Sequence, residues 1–410
     1  MNYSVHKKKE HPFLALLCVL FNILYIFTFH LKYPFRADLF LYGSLFVLIS
    51  MTILVCKIHI SIQTYLFFFM VVSSYIGVIY TTMRSEGLRE AVLFTLFFVF
   101  FVLGREHPYL IKLFLKFVYW LSVVAMFTAV FQRLFPIAIN YFFSLIVKEG
   151  SFEVLMRSYS IDNAYAGILA YTPYTAFFSS IVFGQSILNL LKDKSCKTVN
   201  SKLANVILIS ISLLVIVLSS KRSIFVSIIF ALFVTLLVKY RRNNFIVKIL
   251  FFSSAMLVAL IVLYNSNDLF ARFLDRFIKN DNFLTGRDTI YSNLWNDFLN
   301  GNIFIGRGTG ATYKIAETGA HNIYLEILYD HGFLFSIPFY LFLIYNYSKS
   351  IKSKCYISIY VQSVFLMYGL AGNPLYSNML MLVYVFYVLY AILERSEVDE
   401  RRDSHVSQCA

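Results

Sequence analysis

Apolar runs long enough to cross about 30 Å of hydrocarbon recur along most of the chain, and no other feature constrains the fold as strongly. They fall near 12–30, 39–56, 60–81, 89–104, 110–132, 165–190, 203–219, 223–239, 246–264, 320–345, 355–371 and 375–393. With 59% hydrophobic and only 14% charged residues, the chain is not a soluble globule. The expected fold is an all-α integral membrane protein, one polytopic domain over 1–410 with about twelve transmembrane helices. The formal charge of +14 could suggest nucleic acid, but no basic-aromatic binding module accompanies it. On so apolar a chain the basic residues instead mark cytoplasmic loops and lipid headgroups. The five cysteines, at 18, 56, 196, 355 and 409, show neither a disulfide framework nor metal-ligand spacing.

Lys7-Lys8-Lys9 precedes the first run, and no small-residue cleavage site follows it, so an uncleaved first helix with a cytoplasmic N-terminus is expected. The inner segments this implies are rich in Lys and Arg, whereas the short outer loops carry few: Lys32, Arg36, Arg84, Arg89, Lys221 and Arg222. Both termini are therefore assigned to the cytoplasm. Two outer segments are long, roughly 133–164 and 265–319, the second lying before the tenth span. Within the second, Phe270, Phe273, Leu274, Phe277 and Ile278 have amphipathic helical spacing. Ile290, Tyr291, Leu294, Trp295, Phe298 and Leu299 repeat it, with Gly301 as a stop. Two short helices on the outer membrane surface, or capping a cavity, are expected there.

Chemistry-bearing residues concentrate near this loop. Arg287 opens the second amphipathic helix, and Arg307 lies among Gly306, Gly308 and Gly310. Arginines beside flexible backbone can hold a diphosphate; equally, Arg287 can be a solvated helix start and the glycines a turn. No Gly-Lys-Ser/Thr follows the glycines, so they are not a nucleotide P-loop. Lys221-Arg222-Ser223 separates two apolar runs so tightly that the basic pair sits at the outer end of a helical hairpin. It snorkels to lipid phosphates or clamps an anionic lipid-linked substrate.

His321 stands at the mouth of the tenth span, where a neutral imidazole can accept a proton from a sugar hydroxyl or serve only as a cap. Glu326, Asp330 and His331 follow within the first three turns, where a bilayer normally excludes charge. The carboxylates are expected to face a polar cavity, with Pro338 kinking the helix farther in.

Ala320-His321-Asn322-x-x-Leu325, with Gly332 seven residues on and Gly306-x-Gly308 before it, resembles the signature of the bacterial O-antigen ligase and polysaccharide polymerase superfamily. Thr285-Gly286-Arg287 with Tyr291 resembles that family's Gly-Arg-x-x-x-aromatic element, and Leu218-Ser219-Ser220-Lys221-Arg222-Ser223 its basic hairpin. The resemblance covers about 210–345. Tyr291 stands where many relatives have Trp, and Asp330 where many have Glu. It implies a metal-independent, cofactor-free, inverting glycosyltransferase of the membrane-embedded C type. The enzyme would act on undecaprenyl-diphosphate-linked oligosaccharide at the outer face of the cytoplasmic membrane. By that analogy Arg222 and Arg287 bind the diphosphate and stabilise its departing charge, and His321 orients or deprotonates the acceptor hydroxyl. Lys221, Arg307, Asn322, Glu326, Asp330 and Arg157 are weaker candidates for substrate contact.

The resemblance leaves two reactions open: joining lipid-linked repeat units into polymer, or transferring finished glycan to lipid A core. The Lys-Arg-Ser form of the hairpin and the Phe/Tyr/Ile/Lys-rich composition resemble polymerases from capsule or O-antigen clusters, a resemblance that implies the polymerase, with a flippase and a chain-length regulator as expected partners. A twelve-helix secondary transporter is the competing class. It fits less well, because the first nine runs hold almost no acidic residue and the one large loop comes asymmetrically late.

Overall fold

The computed structural model describes residues 12–33, 37–55, 61–191, 199–240, 287–316 and 319–409. The expected ninth span, 246–264, the amphipathic stretch 270–278 and Thr285-Gly286 lie outside the described residues. Those described form helices, with one isolated bridge between Leu31 and Val147. In chain order these are α1 (Pro12–Thr28), α2 (Ala37–Val55), α3 (Ile62–Tyr80), α4 (Arg84–Glu106), α5 (Pro108–Leu134), α6 (Pro136–Ile146) and α7 (Glu149–Asp162). Then come α8 (Thr172–Leu190), α9 (Val199–Leu218), α10 (Arg222–Tyr240), α11 (Arg287–Leu299), α12 (Ile323–Ser353), α13 (Tyr356–Tyr368) and α14 (Asn378–Cys409). Among the described residues, six helices are long and apolar enough to cross a membrane, by length and composition: α3, α4, α5, Ser201–Leu218 of α9, α10 and α12.

The first three turns of α14 are the centre of the molecule. Met379 to Leu389 are apolar or aromatic on every side and almost fully buried, as expected of a helix with no polar face. Around it α4, α5, α12 and α13 pack directly; α3 lies against α4 and α12, and α10 against α13.

Three departures from the sequence reading position the functional region. The run 165–190 becomes α-helical only at Thr172, after a short 3-10 turn at Gly167–Leu169, because Gly167 and Ala170 take left-handed dihedrals and Pro173 cannot continue a helix from its N-terminal side. The segment 133–164 is not a plain loop but holds α6 and α7. Helix α6 leaves Ile137, Tyr141, Phe142 and Leu145 exposed and buries Phe143, which suits a helix lying at a membrane surface. Finally, α12 does break, but at Gly332 (φ 63°, ψ −176°), six residues before Pro338.

Candidate functional site

The break at Gly332 creates the site's framework. Ending a helical ladder there leaves the carbonyls of Tyr329 and Asp330, and the N–H groups of Phe333 and Leu334, without their usual partners. The loop after α11 replaces all four. Arg307 and Gly308 N–H donate to the carbonyls of Tyr329 and Asp330 at 2.9 and 2.8 Å. Phe333 and Leu334 N–H donate to those of Ile303 and Phe304, both at 2.9 Å. A broken helix can persist at membrane depth only with such replacement.

The glycines allow this close docking. A Cβ on Gly306 would lie 2.4 Å from Gly332 N, and one on Gly308 2.6 Å from the Gly77 carbonyl oxygen on α3. Thr309 is wedged between α3 and α4, its hydroxyl donating to Ser74 O at 2.7 Å. The glycine run therefore approaches protein backbone on several sides.

Asp330 completes the anchoring. It is fully buried, and its carboxylate accepts from Gly310 N–H at 2.9 Å, Thr312 N–H at 2.9 Å and the Thr312 hydroxyl at 2.8 Å. Instead of facing an open polar cavity, it ties down the turn that begins the short 3-10 helix Ala311–Lys314. Arg307 is likewise engaged within the loop: its Nε lies 2.9 Å from Asp297 Oδ2, which also accepts from the Tyr329 hydroxyl at 2.7 Å. Asp297 is ten residues beyond Arg287 on α11, about 15 Å along the axis, so the two arginines occupy opposite ends of that helix.

His321 sits just before α12 with φ 55°, a strained left-handed conformation for a non-glycine residue. Its surroundings hold it there. Asn322 caps α12, its Oδ1 accepting from Tyr324 and Leu325 N–H, both at 3.1 Å. Glu326 Oε2 accepts from Ala320 N–H at 3.0 Å, and the Tyr291 hydroxyl donates to His321 O at 3.2 Å. Asn322 and Glu326 thus shape the His321 turn, and Tyr291 links it to α11.

The cations converge here. Arg287 opens α11 and donates from Nη1 to Ala371 O at 2.8 Å, in the turn between α13 and α14. Both Arg287 and Lys221 act electrostatically on His321. Burial first, then these two cations, lower the His321 pKa from 6.5 to about 4, so the imidazole is neutral over the ordinary pH range. Arg287 also faces Tyr171 and Tyr291, whose phenols burial pushes up while the guanidinium draws them back. The hairpin that presents Lys221 turns at Ser220 (φ 56°) and is tied to the connection between α7 and α8 by Tyr165 N–H donating to Leu218 O at 3.0 Å. Arg222 starts α10 beside it, half-buried. Arg157 is exposed on α7, where its carbonyl accepts from the Ser160 hydroxyl at 3.3 Å.

Sequence reasoning missed five contributors. Glu90 on α4 is 2% exposed and lies within electrostatic reach of Glu326 and Asp330, its carboxylate facing the Tyr313 hydroxyl without a well-aligned hydrogen bond. A lone acid in the apolar run after Arg89 was its only signal. Tyr313 and Tyr376 join the same buried group. Gly369 O and Ala371 O serve as anchors for Ile323 N–H and Arg287; backbone acceptors carry no sequence signal at all.

No curated protein matches the chain at a significant level. The family model described as O-antigen ligase matches residues 207–340, the stretch containing Lys221, Arg222, Arg287 and His321, a match consistent with the O-antigen ligase and polymerase superfamily.

Proposed function

We propose that this protein is a membrane glycosyltransferase, a polymerase that joins undecaprenyl-diphosphate-linked oligosaccharide repeat units at the outer face of the cytoplasmic membrane. The observation that carries the reading is a neutral, backbone-strained His321 with two cations from separate segments, Arg287 and Lys221, acting on it. This is the charge pattern wanted for moving a sugar off a diphosphate. The acceptor hydroxyl gives its proton to His321 while its oxygen bonds to the anomeric carbon; the bond from that carbon to the diphosphate breaks, and the electron pair leaves with the diphosphate. Arg287 and Lys221, with Arg222 beside it, offset the charge that develops there.

The same cations make His321 a weak base in the absence of substrate. An anionic diphosphate seated between them cancels much of their field, so the imidazole gains basicity when the donor is bound. Glu326, Asn322 and Tyr291 act through His321 by holding its turn. Undecaprenyl-diphosphate-linked glycan is both donor and acceptor, and a flippase and a chain-length regulator are the corresponding partners.

A ligase that passes finished glycan to lipid A core is the second reading, supported by the description of the matching family model. Deletion of the gene in a host that makes the polymer separates the two. The polymerase reading expects glycan of a single repeat unit, whereas the ligase reading expects lipid-linked polymer to accumulate and surface glycan to disappear. His321→Ala should reproduce the deletion at normal membrane levels. Full activity of that variant would end the proposal for His321.

A further inference from the structure

A cavity of about 560 Å³ opens at the other end of the bundle from His321. Helix α10 runs from the Lys221 hairpin to Tyr240, about 28 Å at 1.5 Å per residue, and α12 likewise runs away from His321 to Ser353. The cavity is lined by Lys112 and Lys116 of α5, Lys239 of α10, Lys354 and Tyr356 at the α12–α13 junction, and Glu394 of α14.

Segments distant in sequence bring these lysines together. Lys112 and Lys116 share one face of α5 at i, i+4. Lys239 is held by its own contacts, Nζ donating to Leu191 O at 2.8 Å and lying 5.7 Å from the centre of the Tyr356 ring. Lys354 takes a left-handed conformation (φ 54°) that closes the C-terminus of α12. Among the described residues, four lysines and one carboxylate therefore line the cavity, and Glu394 also interacts with the Cys355 thiol.

An excess of cations around a cavity favours an anion, and phosphate oxygens accept several ammonium donors at once. The location identifies its source. Helices α5, α10 and α12 all have membrane-crossing length and composition, and the cavity sits at their ends, with tyrosines in its wall as is common at headgroup depth. We propose that this cavity binds the phosphate headgroup of an anionic phospholipid. The site is separate from the His321 centre and does not depend on the reaction assigned to it.

The test uses the full chain purified in detergent and titrated with phosphatidylglycerol, phosphatidylcholine or soluble glycerol phosphate, with bound lipid counted by native mass spectrometry. Lys116 and Lys354 are both exposed, so the pair Lys116→Gln and Lys354→Gln removes charge without disturbing the core. The expected result is one tightly retained phosphatidylglycerol in the unaltered protein and about 30-fold weaker retention in the Gln pair. Lys116→Arg with Lys354→Arg should restore binding, and phosphatidylcholine should not compete. Equal retention by the unaltered protein and the Gln pair would overturn the site. Glycerol phosphate binding as tightly as the lipid would overturn the lipid assignment.

Discussion

Replacing Asp330 by alanine tests whether the carboxylate anchors the loop or binds substrate. The change removes one acceptor from three donors in a fully buried site: Gly310 N–H, Thr312 N–H and the Thr312 hydroxyl. A buried donor left without a partner costs about 1–3 kcal/mol. The hydroxyl can rotate to another acceptor while the two backbone groups cannot, and the three share one turn, so the costs do not add fully. The expected loss is about 2–6 kcal/mol, a large share of a typical stability of about 5–15 kcal/mol. Asp330→Asn keeps one oxygen for the two Thr312 donors but turns an amide NH2 toward Gly310 N–H, for a loss of about 1–3 kcal/mol. Heat unfolding of detergent-purified protein, with limited proteolysis of the 302–316 loop, should rank the native chain above Asn and Asn above Ala. If the Ala variant unfolded with the native chain, or Asn were as damaging as Ala, the hydrogen-bond account would be refuted. An Asn variant of native stability that needed far more substrate would return Asp330 to a binding role.

Other outcomes follow from the same geometry. Gly308→Ala places a Cβ 2.6 Å from the Gly77 carbonyl oxygen at φ +94°, so folded protein should fall sharply in fluorescence-detected size exclusion. Gly150→Ala, with nothing within 4 Å, should change stability by less than about 0.5 kcal/mol. Arg307→Ala breaks an ion pair whose side chains are 32% and 43% exposed, so a loss within about 1 kcal/mol and retained chain growth are expected; a tenfold fall in activity would make Arg307 a substrate clamp after all. Because the His321 pKa is lowered to about 4 in the folded protein, the unfolded chain binds more protons between about pH 4 and 6.5, and this residue's contribution to stability is lost as pH falls through that window. In kinetics, the acid limb of kcat/KM should lie well below pH 6.5 and that of kcat higher, since bound diphosphate offsets Arg287 and Lys221. Arg287→Gln should raise the limb in the free enzyme, and coincident limbs in both profiles would contradict the substrate-coupled basicity.

Much of the helical framework was legible locally. Apolar runs became α1–α5, α9 and α10 close to the expected places, and α11 ends at Leu299, just ahead of the stop expected at Gly301. Leu294 and Phe298 are the buried pair on α11 while Trp295 and Leu299 stay exposed, so the amphipathic spacing was sound for the core-facing stripe. Less legible was 133–164, where α6 and α7 formed in a segment read as an outer connection. The break in α12 was assigned to Pro338, a residue with a known local effect, yet it occurred at Gly332, where the 302–308 loop supplies replacement hydrogen bonds.

The sequence alone determined that this chain is helical and membrane-type, and it named His321, Arg287 and the Lys221–Arg222 hairpin, because hydrophobic runs, charges and local motifs act over a few residues. Only the tertiary structure decided which partners the other polar groups have. It assigned Asp330 and the glycines to anchoring the loop, Glu326 and Asn322 to shaping the His321 turn, and Arg307 to Asp297. Those assignments depend on hydrogen bonds between segments far apart in sequence, and a buried polar group takes whichever partner the packed chain places within about 3 Å of it.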